Sequence, residues 1–210
     1  MSCGTPDAFC TERLQEREIM ILYILDLEQF EKSEYCQELP KPQKHHAAGQ
    51  YLLRQAVGDE AYEQAVFAKN EHGKPYIIGH PIHYNISHSG QYVVLVTAER
   101  EVGVDVQEKR AARMESVAKR FFAEEEWQAV SECESEEEKR DLFYRIWCRK
   151  EAYGKYLGIG LSNNLLGINV LEELENIKVL DLEIIENYQI SICSRKGENL
   201  EKIVSVFEGL

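Results

Sequence analysis

The first clear apolar run is MILYILDL at residues 20–27, rich in strand formers, and it predicts a strand. Residues 1–19 before it are polar and without period, so they are expected to form a loose N-terminal extension. Leu52, Leu53, Ala56 and Val57 fall at helical spacing and predict a helix over 43–57. EQAVFAK predicts a short strand, and the Asn, Gly and Pro of NEHGKPYI mark a turn. IHYNIS, HSG and QYVVLVTA then predict strand, tight turn and strand, and VGVDV another short strand. The second half changes character. MESVAKRFF, AEEEWQAVSEC and EEEKRDLFYRIWCRKEAYGKYLG predict helices; LLGINVL, IKVLDLEII, YQISICS and KIVSVF predict strands. Helices and strands segregated in this way favour an α+β fold over a doubly wound parallel sheet.

Composition narrows the function. A chain of 210 residues with 44% hydrophobic residues can bury a substantial core. Its formal net charge of -13 argues against non-specific nucleic-acid binding, though not against a local basic pocket. No stretch approaches 18 apolar residues, so no membrane helix is expected, and residues 1–18 lack the apolar region of a secretory signal. The six cysteines (Cys3, Cys10, Cys36, Cys133, Cys148 and Cys193) form no CxxC pair. They read as reduced thiols of a cytoplasmic protein. Neither GxGxxG nor GxxxxGK[ST] occurs.

Three clusters can carry chemistry. In Gly73-Lys74-Pro75, glycine permits unusual backbone and proline extends Lys74, which would hold a cation and a flat ring against a ligand. Asn85-Ile86-Ser87-His88-Ser89-Gly90 offers hydroxyls, a histidine and backbone N–H groups as an anion cradle. In GVDVQ, strand alternation puts Val104 and Val106 on one face and Gly103, Asp105 and Gln107 on the other. Glu151 and Lys155 share a helix face with Trp147, and Gly154 between them invites a close approach. Asp105, Gln107 and Glu151 suit Mg²⁺, which takes hard oxygen ligands and keeps positions open for water and phosphate. Lys74, His88 and Lys155 suit a polyphosphate. The residues alone therefore point to a Mg²⁺-dependent enzyme acting on a pyrophosphate-containing substrate.

The same clusters, in this order, resemble the 4′-phosphopantetheinyl transferases of the surfactin-synthetase-activating type. Their pattern is GKP, N-x-SHSG, G-[IV]-D-x-E and W-x-x-KE-x-x-x-K; here it reads GKP from Gly73, NISHSG from Asn85, GVDVQ from Gly103 and WCRKEAYGK from Trp147. AKRFF from Ala118 and GKYLGIGLS from Gly154 add to the likeness, which spans roughly residues 20–170. The resemblance implies transfer of the phosphopantetheine arm of coenzyme A to a serine of an acyl or peptidyl carrier protein, with 3′,5′-ADP leaving. It implies two similar α+β halves about a pseudo-twofold axis, here 20–102 and 103–210, with the site between them and a monomer sufficient. By carry-over, Lys74 and Pro75 contact the adenine end of coenzyme A, and Ser87 and His88 its phosphates. Asp105 and Glu151 ligate Mg²⁺, Lys155 meets the pyrophosphate, and Glu151 is the base for the carrier serine.

Two departures stand out. Gln107 replaces an acidic residue at the metal site, and His45 stands where the family often has an arginine for the 3′-phosphate. Two other functions remain open at this level: a non-catalytic coenzyme A or nucleotide binding module, and a Mg²⁺-dependent pyrophosphatase or phosphodiesterase.

Overall fold

In a computed structural model of the chain, which describes residues 19–33, 36, 40–110, 114–159, 165 and 167–206, the run at 20–27 forms strand β1 (Ile19–Asp26). Cys3, Cys10, the extension up to residue 18 and residues 160–162 of GKYLGIGLS lie outside the described residues. Asp26 caps a short helix, α1 (Leu27–Glu31), its carboxylate accepting from the backbone N–H of Glu28 and Gln29. The predicted helix is α2 (Lys41–Val57); α3 (Asp59–Gln64), β2 (Phe67–Lys69) and β3 (Pro75–Ile77) follow. β4 (His83–Ser89) and β5 (Tyr92–Ala98) form the expected hairpin, and β6 (Gly103–Glu108) follows. Helices α4 (Met114–Phe121), α5 (Glu124–Ser131) and α6 (Glu136–Leu157) precede β7 (Ile177–Leu182), β8 (Tyr188–Arg195) and β9 (Asn199–Val206). The architecture is α+β, as the pattern predicts.

The main sheet has order β4-β5-β1-β9, and a second sheet has order β6-β8-β7. Within each, a first strand pairs antiparallel with the second strand of a later hairpin: β1 with β5 of β4–β5, and β6 with β8 of β7–β8. The topology of the first half is thus repeated in the second. β9 then returns to the main sheet and runs parallel to β1.

Burial explains the strand patterns. Val93 and Leu95 of β5 face Leu52 and Leu53 of α2 in one core, whereas Val94 and Val96 join Val104, Val106, Ile190 and Ile192 in another. Hence β5 reads as continuous apolar sequence, being buried on both faces. The layers run α2, main sheet, second sheet, α6. A third core, with Phe122, Phe143, Tyr144 and Ile146, joins α4 and α5 to α6.

Three local expectations change. His88 and Ser89 belong to β4, and the turn falls at Gly90, whose φ is +54°. EQAVFAK is divided between α3 and β2. LLGINVL is no strand where described: residues 167, 170 and 171 form turns. Its polar backbone groups bond instead to a buried ion pair. Lys150 Nζ donates to the carbonyls of Leu165 (3.0 Å) and Ile168 (2.6 Å), and Glu126 Oε1 accepts from Val170 N–H (2.7 Å). Lys150 and Glu126 are 2.8 Å apart and fully buried.

Candidate active site

The site forms where the free edges of the two sheets meet. β4 and β6 do not share a backbone ladder. Alternate side chains of β4 reach across instead: Asn85 Oδ1 accepts from Val104 N–H (3.0 Å), Ser87 Oγ from Val106 N–H (3.3 Å) and Ser89 Oγ from Glu108 N–H (3.0 Å). Three polar residues at period two therefore satisfy three edge donors of β6. The intervening Tyr84, Ile86 and His88 line the opposite face, toward α2.

α6 lies on the polar face of β6. A Cβ at Gly103 would overlap the Ala152 carbonyl oxygen and the Tyr156 backbone nitrogen, so only glycine permits this approach. It sets Lys155 Nζ 2.6 Å from Asp105 Oδ1 and 2.8 Å from Ser87 Oγ. Ser87 donates to the same Asp105 oxygen at 2.7 Å, and Gln107 Nε2 donates to Asp105 Oδ2 at 2.8 Å. Asp105 is 2% exposed, with both oxygens held, and Cys148 Sγ–H donates to its backbone carbonyl at 3.1 Å.

Glu151 lies one helical turn before Lys155. Burial, aided by the neighbouring Asp105 carboxylate and opposed by Lys155, pushes its pKa up to about 7. Two carboxylates with one ammonium fit a hard cation: a divalent ion would relieve their mutual repulsion. The described residues hold no group of three His, Cys, Asp or Glu suited to a metal. Gln107 offers Asp105 Oδ2 its amide N–H.

The expected ligand contacts divide. His45, Pro75 and His88 line one groove of about 790 Å³, between α2, β2 and β4. The His45 and His88 rings lie 4.6 Å apart, and His45 Nε2 is 3.3 Å from the Gly90 carbonyl. Desolvation lowers the His88 pKa; His45 and Lys155 lower it further, and Asp105 partly offsets them. Lys74 is not in this groove. It lines a separate cavity of about 340 Å³ with Tyr156 and Gly158, and pairs with Glu101. Trp147 likewise stays out of the site, packing edge-on against Phe121 at 5.2 Å. Cys148 and Cys193 are buried with pKa values pushed well up by desolvation, and neither is a thiolate near neutrality.

Sequence reasoning passed over Asn70 and Glu101 as site residues, and read Asn85 and Ser89 as part of an anion cradle, whereas both accept from edge N–H groups of β6. The polar alternation of residues 85, 87 and 89 was the available signal, since polar positions at period two on an inner strand require partners. Asn70 carried the signal of an Asx turn, being followed three residues later by Gly73.

A profile of the 4′-phosphopantetheinyl transferase superfamily matches residues 101–200. The chain is similar to a 4′-phosphopantetheinyl transferase of Bacillus subtilis, 28% identical over 183 residues, 78% of this chain and 80% of the relative. It is also similar to the 4′-phosphopantetheinyl transferase Sfp of B. subtilis strain 168, at 27% identity over 84% of this chain and 86% of that protein. An L-aminoadipate-semialdehyde dehydrogenase-phosphopantetheinyl transferase of Xenopus laevis is 31% identical over 134 residues, 56% of this chain and 44% of the relative.

Proposed function

We propose that this chain, a member of the 4′-phosphopantetheinyl transferase superfamily through residues 101–200, transfers the 4′-phosphopantetheine arm of coenzyme A to a serine of an acyl or peptidyl carrier protein. The observation that carries the chemistry is the cluster in which Lys155 Nζ lies 2.6 Å from Asp105 Oδ1 and 2.8 Å from Ser87 Oγ, with Glu151 one helical turn before Lys155.

The nucleotide half of coenzyme A lies along the groove of His45, Pro75 and His88, with its phosphates toward His88 and Lys155. The carrier serine Oγ attacks the phosphorus bonded to the pantetheine arm. The new O–P bond forms as the bridge to the inner phosphate breaks, and the electron pair leaves on 3′,5′-ADP. The serine proton passes to Glu151, directly or through one water. Lys155 faces the charge that gathers on the leaving phosphate. Mg²⁺ held by Asp105 and Glu151 would supply Lewis-acid stabilisation of the pyrophosphate. Gln107 steadies Asp105 through its amide N–H. Both walls of the groove and both carboxylates come from one chain, which supports a monomer. The free thiols among the described residues support a reducing, cytoplasmic setting.

Chromatography of 3′,5′-ADP from coenzyme A and Mg²⁺, with and without an apo-carrier, tests this reading. Release should require the carrier. Release without it would make the protein a hydrolase, and no release from any carrier would leave a binding module.

A further inference from the structure

The turn between β2 and β3 holds the end of α6. Asn70 Oδ1 accepts from the backbone N–H of His72 (3.0 Å) and Lys74 (2.8 Å), fixing the turn, while Asn70 Nδ2 donates to the Gly158 carbonyl (2.9 Å). Gly158 caps α6 in the left-handed region at φ +69°. A Cβ there would meet Asn70 Nδ2 at 2.7 Å, so the cap and the turn are fitted to each other. Beside it, Lys74 Nζ donates to the carbonyls of Tyr156 (3.3 Å) and Val102 (3.1 Å) and pairs with Glu101.

We infer that Lys74 is a positioning residue that locks the last turn of α6 to the start of β6, rather than a contact to the nucleotide. An ammonium has three donors, and three protein oxygens take them. The Tyr156 carbonyl is among the last four of α6, which have no partner within the helix, and a cation there also complements the helix dipole. Val102 immediately precedes β6. One side chain, 13% exposed, thus ties the helix carrying Glu151 and Lys155 to the strand carrying Asp105. The nucleotide groove runs past Gly73 and Pro75 without meeting Lys74. The inference rests on the preceding reading in one respect, that Glu151 and Lys155 carry the transfer.

Lys74→Met removes the ammonium and keeps the chain length. Asn70→Ala breaks the other tie at a residue outside the groove lining, and it also releases the Lys74 N–H in the turn before Pro75. Three measurements apply to both variants of the full chain: calorimetric binding of adenosine 3′,5′-bisphosphate, kcat and KM for transfer, and hydrogen exchange over residues 154–159. Nucleotide affinity should stay within about threefold of wild type while kcat falls about tenfold or more. Exchange in the last turn of α6 should quicken about tenfold or more in both variants. A Lys74→Met protein that loses nucleotide affinity tenfold with exchange unchanged would overturn the inference, as would unchanged exchange in both. A wild type that binds nucleotide but transfers nothing would fail the functional reading instead, and the exchange measurement would still decide the role of Lys74.

Discussion

At the scale of the residue, Glu151 sets stability against function. Its carboxyl titrates at about 7, against 4.5 for a free one. A raised folded-state pKa contributes stability that is fully present below pH 4.5 and is lost as pH rises through 7. In a chelator, Glu151→Gln should therefore stabilise the protein by about 1–3 kcal/mol at pH 8 and hardly at all at pH 4.5. Thermal melts at the two pH values check this, and the same variant should transfer no phosphopantetheine. His88→Ala should raise KM for coenzyme A about threefold to tenfold with kcat little changed, because a remote contact contributes mainly uniform binding. Steady-state kinetics would show the split. The sequence pointed to Asp105, Glu151 and Lys155 because strand alternation and the i,i+4 rule are local and fix which residues share a face. It did not show that the Ser87 hydroxyl would be shared among Asp105, Lys155 and Val106, since those partners come from distant strands and a helix.

At the scale of the element, the site is the gap between two sheet edges and one helix. Gly103→Ala would force β6 and α6 apart and separate Asp105 from Lys155. It should cost about 1–3 kcal/mol of stability or more, as overpacking does, and abolish transfer in whatever protein folds. Denaturant unfolding measures the first effect. Asn85→Ala leaves the Val104 N–H buried without its acceptor and should cost about 1–3 kcal/mol. Most elements were legible from period and run length. The largest exception has a cause in the packing: residues 165–171 look like a strand, but the Lys150–Glu126 pair claims two of their carbonyls and an N–H from inside the helical core. No local pattern marks a carbonyl whose partner is a buried lysine fifteen or more residues earlier.

At the scale of the whole molecule, β4 at the edge of the main sheet lies against β6 at the edge of the second, and the groove and the carboxylates lie on either side of that junction. The parallel return of β9 onto β1 binds the end of the chain to its first strand. Removing residues 199–210 would expose β1 as a new edge, and the truncated chain should aggregate or melt about 10 °C or more lower. Solubility and calorimetry would tell. The central claim is that this junction moves a phosphopantetheine arm onto a carrier serine. Intact-mass spectrometry of an apo-carrier incubated with coenzyme A, Mg²⁺ and the protein measures that directly. The carrier should gain one phosphopantetheine with wild type, and none with Glu151→Gln or when its own serine is replaced by alanine. An unmodified carrier with wild type across acyl and peptidyl carriers, or equal modification by Glu151→Gln, would contradict the account.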